Sequence, residues 1–174
     1  MRRPVTLVVM LVLAATLGAC ARNPSASAWA ASVCEALAPW RAEIGTLTGR
    51  AQQQMTAKTT PAQAKENLVR LLGGAETASE TARAKVARAG VPDVDGGEQV
   101  AVGFVASLSA IRDAYGKART GVEQLAADPA DAFYTGVAGV MSTLNDEYGR
   151  SALDTSKLSS PGLRAAFDEV PECQ

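Results

Sequence analysis

The 174-residue chain contains no histidine. That absence excludes Ser-His-Asp and Cys-His catalysis, proximal-histidine haem sites, the usual catalytic zinc sites and any imidazole pH switch. Aromatic residues are scarce, 5% of the chain, isoleucine occurs only twice, and alanine, a strong helix former, occurs 34 times beside 15 glycines. Sheets draw on aromatic and β-branched side chains, so the composition argues for an all-α protein. Neither sign of charge dominates: 17 Lys and Arg stand against 18 Asp and Glu. No basic stretch with interleaved aromatics occurs, so nucleic-acid binding has no electrostatic support. The length leaves room for one compact domain.

Long apolar runs are also lacking. Val5 to Leu17 is mostly apolar and uncharged, behind Met1, Arg2 and Arg3. A bilayer core takes about 20 apolar residues as a helix, so this run is too short for a permanent span and reads as the h-region of an export signal. Arg2-Arg3 followed by Pro4-Val5-Thr6 matches a twin-arginine signal poorly, and ordinary secretion is expected. Leu17-Gly18-Ala19-Cys20 resembles the lipobox of bacterial lipoproteins. The resemblance implies cleavage before Cys20 and a diacylglyceryl group on its sulfur. Chemistry agrees, since small residues let a peptidase accept the extended backbone, a thiol can carry a thioether-linked lipid, and two acyl chains anchor stably where one does not. A soluble secreted protein whose signal ends near Ala19-Cys20 is the competing reading. The expected organisation is a signal over 1–19, the lipidated cysteine and tether over 20–27, and a helical domain over 28–174. Ala21 to Ser27 reaches at most about 25 Å, holding the domain close to the extracytoplasmic face of the cell membrane.

Export places Cys34 and Cys173 in an oxidising compartment, where two cysteines pair as one disulfide. It would close a loop of roughly 140 residues and contribute on the order of 5 kcal/mol in the chain-entropy account. The alternative, a reactive thiol, needs a base or cation to lower its pKa, and no histidine is present to do so.

The rest of the chain repeats one pattern. Trp29, Val33, Leu37, Trp40, Ile44, Leu47, Ala51 and Met55 recur in steps of four and three, and the phase survives Pro39, which predicts one helix tightened or kinked there. Thr60-Pro61-Ala62-Gln63 is a capping-box start for a second helix, which ends near Gly90. Asp95 and Glu98 have the spacing of an acidic capping box for a third helix to about Ala127, and Asp128-Pro129 restarts a fourth through Phe133, Val137, Val140, Leu144 and Tyr148. Ser159-Ser160-Pro161 announces a short fifth, with Leu163 and Phe167 closing the open end. The expected fold is an up-down-up-down four-helix bundle with a short C-terminal helix, closed by the disulfide. Four antiparallel helices return the tail to the start of the first, where Cys34 waits. Ten glycines fall inside the predicted helices, and Gly73-Gly74 is the segment where motion or a pocket is expected.

Candidate sites are few. Asp93-Val94-Asp95-Gly96 has the start of a calcium loop, but Phe104 stands where the twelfth-position glutamate belongs, so capping is the simpler role. A dimetal bundle site needs Glu-x-x-His repeats, which a chain without histidine cannot form. Glu35, Glu43, Asp146 and Glu147 have no spacing that sets two across a cleft, and solvated helix faces account for them. Trp29, Trp40 and Tyr148 are the candidates for a small apolar pocket at the membrane-near end, with core packing as the plainer alternative.

The Trp-x4-Cys-x5-Trp run (Trp29, Cys34, Trp40), Val91 to Glu98, and the closing Phe167 to Cys173 are similar to small alanine-rich exported proteins of actinobacteria. That family carries no assigned activity. The resemblance implies the location and the cysteine pair, and no catalytic residue or cofactor. Two functions are expected: a non-enzymatic lipoprotein acting as a binding or structural module of the cell envelope with a protein partner, or a carrier of a small apolar ligand. An enzyme is a third reading with no residue set behind it.

Overall fold

A computed structural model of the chain describes residues 23–151, 158 and 160–174, and all secondary structure among them is helical. The export signal, the lipobox and Cys20 lie outside the described residues.

α1 (Ala26–Gln54) starts from Ser25, whose hydroxyl accepts the Ala28 N–H at 3.2 Å. Its first residue precedes the expected position 28 by two residues, and it runs unbroken through Pro39. α2 (Pro61–Arg88) is capped as its sequence predicts: the Thr60 hydroxyl accepts the Gln63 N–H, and the Gln63 side chain accepts the Thr60 N–H. Gly90, at φ 76°, ends that segment in the left-handed region that glycine takes without steric cost.

α3 (Gly97–Gln124) differs from expectation at its start. Gly96, at φ 72°, holds the N-cap, and the Asp95 carboxylate accepts no capping hydrogen bond. The turn from Pro92 is so tight that a Cβ on Gly97 would run into the Pro92 carbonyl oxygen. Chain crossing therefore sets this start, and Asp95 remains exposed. α3 also stops at Gln124, where Leu125 turns to extended backbone. α4 (Ala130–Ser151) and α5 (Pro161–Glu169) follow, α5 with Ser160 as N-cap, and a 3-10 turn (Pro171–Cys173) closes the chain.

Cross-helix pairs fix the directions. Trp29 with Gly90, Trp40 with Ser79 and Leu47 with Gly74 run antiparallel down α1 and α2. Glu80 with Arg112, Glu76 with Arg119, and Lys65 with the Leu125 carbonyl do the same for α2 and α3. Tyr115 with Tyr148 and Leu125 with Gly136 repeat it for α3 and α4. The four long helices thus run up, down, up and down.

The fourth place is divided. α4 packs on α3 and α2, and its Tyr148 reaches only to Tyr115, near the middle of α3. α5 takes the other half beside α1. Two apolar clusters result. The upper one joins Trp29, Val33, Leu37, Val86, Phe104 and Leu108 to Leu163 and Phe167, with Phe104 and Phe167 stacked at 5.7 Å. The lower one joins Leu68, Leu72, Ala118 and Val122 to Leu144. α5 also brings the tail to α1, where Cys34 and Cys173 are bonded with Cα atoms 5.1 Å apart across 139 residues of sequence.

Candidate functional site

The lower half of α1 packs on α2 alone among the long helices, and Trp40, Ile44 and Leu47 stay half-buried there. A cleft of about 540 Å³ opens along this seam. Ala36, Pro39, Trp40 and Glu43 of α1 line one wall, at the three-and-four spacing that puts residues on one helix face. Gly73, Gly74, Thr77, Ala78, Thr81, Ala82 and Lys85 of α2 line the other.

Each wall follows from its residues. Trp40 donates its indole N–H to Ser79 Oγ at 3.0 Å, and Ser79 donates onward to the Ala75 carbonyl at 2.8 Å. Ser79 is fully buried, so this relay satisfies both polar groups and pins one edge of the indole to α2. Gly74 lets the helices close below it: a Cβ there would lie 2.8 Å from the Leu47 side chain. The alanines supply little side-chain bulk, which leaves space beside the ring. Pro39 donates no backbone N–H, so the Glu35 carbonyl lacks its helical partner near the rim. Lining volume and chemistry suit a small, mostly apolar molecule, with Thr77, Thr81, Glu43 and Lys85 as its polar contacts.

The pocket expected from Trp29, Trp40 and Tyr148 is not the one found. Trp29 is wholly buried, edge-on to Phe104 at 5.2 Å and Phe167 at 6.0 Å, and donates its N–H to the Gly90 carbonyl at 2.9 Å. Tyr148 lies edge-on to Tyr115 at 6.2 Å between α3 and α4, and α4 does not pack on α1. Three turns separate the two tryptophans, about 16 Å along a helix, so only Trp40 reaches the cleft. The Gly73-Gly74 segment does line a pocket, within an unbroken α2. Ser79 escaped the sequence reading. Its signal was its place among Ala75, Ala78 and Ala82, where a polar residue must find a partner.

The carboxylates do not converge. Glu35 and Glu43 belong to α1, while Asp146 and Glu147 belong to α4, and Glu147 is paired with Lys117 at 3.0 Å. Among the described residues no group of three metal-ligating side chains lies together. Asp93 uses its backbone N–H to bond the Pro24 carbonyl at 2.8 Å.

The strongest electrostatics lie on the opposite seam, between α2 and α3. Glu80 accepts from Arg83 and Arg112, and these two hydrogen bonds hold its carboxyl down to about 2. Arg119 bridges Glu76 and Glu123 one turn further down. Burial, with a smaller contribution from Tyr148, pushes the Tyr115 hydroxyl up to about 12. These groups lock helices together on the seam away from the cleft.

No family model, no curated protein and no solved structure matches the chain. Among the described residues no helix is long and apolar enough to cross a membrane.

Proposed function

We propose that the protein is an exported, lipid-anchored, non-enzymatic binding module of the cell envelope, and that the cleft beside Trp40 takes a small apolar molecule or lipid tail. The observation that carries the reading is the cleft itself, with an indole held at one edge and glycine and alanine leaving the space beside it. Export and anchoring rest on the Val5–Leu17 run and the Leu17–Cys20 pattern. Binding is favoured over catalysis because Glu43 and Lys85 are the only ionisable residues on the cleft walls. A carrier of small ligands is favoured over a purely structural role because a structural bundle has no need of an open seam.

Mass spectrometry of the native protein tests both halves. An acyl mass on Cys20 supports the anchor; an unmodified mature thiol removes it. A retained small molecule that disappears in Ala78→Leu, with an unchanged melting temperature, supports the cleft. No retained mass, together with tryptophan emission that ignores a panel of apolar compounds, overturns it.

A further inference from the structure

A second apolar groove, of about 370 Å³, lies at the upper end between the close of α2 and the first turns of α3. Its walls include Ala87, Val91, Ala101, Val102, Val105 and Ala106, and none of its lining residues has a polar side chain. Val102 is 61% exposed, the most exposed of the large apolar side chains among the described residues. No described residue covers it.

The groove stands where the chain enters the domain. The Pro24 carbonyl accepts the Asp93 N–H at 2.8 Å, and Trp29 bonds the Gly90 carbonyl, so the α2–α3 loop is tied to the start of α1. Pro24 lies four residue steps from Cys20, a span of at most about 14 Å. We infer that this groove rests on the surface of the bilayer to which Cys20 is anchored, with Val91, Val102 and Val105 at the depth of the lipid headgroups and upper acyl chains. The inference rests on the lipid-anchor reading above. It deepens that reading by giving the domain one orientation, with the α2–α3 loop down and the α1–α2 loop pointing away from the membrane.

The neighbouring charges say what kind of contact this is. Asp93, Asp95 and Glu98 flank the groove in sequence, against Arg83, Lys85 and Arg88, and Arg83 is already paired with Glu80. A border of balanced charge gains little from anionic lipid, so apolar burial drives the contact and added salt does not release it.

The lipidated protein in phosphatidylcholine vesicles provides the test. Val102→Cys and Lys58→Cys each add one free thiol, because Cys34 and Cys173 are bonded to each other and the anchor blocks Cys20. Both positions are exposed, so a bimane label at either is tolerated. The label at 102 is expected to be quenched by headgroup-depth nitroxide lipids and to show about fivefold less quenching by aqueous iodide than the label at 58. Equal iodide quenching at both positions, without nitroxide quenching, overturns the inference. Shielding from both quenchers also overturns it, by showing that protein, such as a second copy, covers the groove. Nitroxide quenching that appears only after phosphatidylglycerol is added overturns it as well, since charge would then be the cause. Flotation separates the two proposals: protein that fails to float with vesicles defeats the anchor reading, whereas floating protein with an exposed 102 defeats the orientation alone.

Discussion

Gly97 shows how a single position can constrain a whole junction. A methyl group there meets backbone, the Pro92 carbonyl oxygen, which cannot rotate away. Gly97→Ala is expected to destabilise by about 2–3 kcal/mol in chemical denaturation, against a few tenths for an exposed helix position. Glu80 gives a residue-scale prediction in pH. Its folded pKa of about 2 lies below the model-compound value of 4.5, so its stabilisation is complete above pH 4.5 and is lost as pH falls toward 2. Glu80→Gln should therefore lower the melting temperature near neutral pH and leave it close to wild type at pH 2. The carboxyl is partly exposed, so salt should narrow the difference. A gap between the two proteins that persists at pH 2 would remove the arginine pair as its cause.

Among the helices, two starts that look alike in sequence behave differently. Thr60 and Gln63 make both bonds of their box, and Thr60→Ala is expected to cost about 1 kcal/mol. Asp95 and Glu98 have the same spacing and make neither. Asp95→Ala should stay within about 0.5 kcal/mol in the same assay. The contrast lies in what precedes each box. The chain leaves the Thr56–Thr59 turn with Thr60 in extended backbone, as an N-cap requires, whereas after Pro92 it passes through left-handed Gly96 before α3 can begin. Helical periodicity reads well in both, because burying a stripe requires the three-and-four spacing wherever the helix starts.

For the whole molecule, the disulfide and the divided fourth place act together. α4 reaches half the bundle, and the tail completes the return before Cys173 meets Cys34. Reduction breaks the cross-link between α1 and the turn that follows α5, which closes a loop worth on the order of 5 kcal/mol by chain entropy. A fall in melting temperature of roughly 10 °C is expected on reduction, read by circular dichroism. Loss of the Trp29 near-ultraviolet signal should accompany it, because Phe167 packs on that ring. A reduced protein that melts at the oxidised temperature would show that α5 is held by packing alone.

Much of this was legible in the residues themselves. Alanine content, scarce aromatics and three-and-four periodicity point to the helical class, the Thr60 and Ser160 caps mark their own helices, and an even count of antiparallel helices turns the chain back toward Cys34. Each depends on local chemistry or on counting along the chain. Which tryptophan is core and which lines a cleft was decided only in three dimensions. Trp29 and Trp40 share one stripe, and α5 covers the first while the second, held by α2, stays half-buried beside the cleft. The same holds for Asp95, displaced from its cap by Pro92, and for Tyr148, drawn to Tyr115 and away from α1. Periodicity states which face of a helix seeks burial; how completely that face is covered depends on the lengths and crossing of partners distant in sequence, and that is a property of the assembled fold.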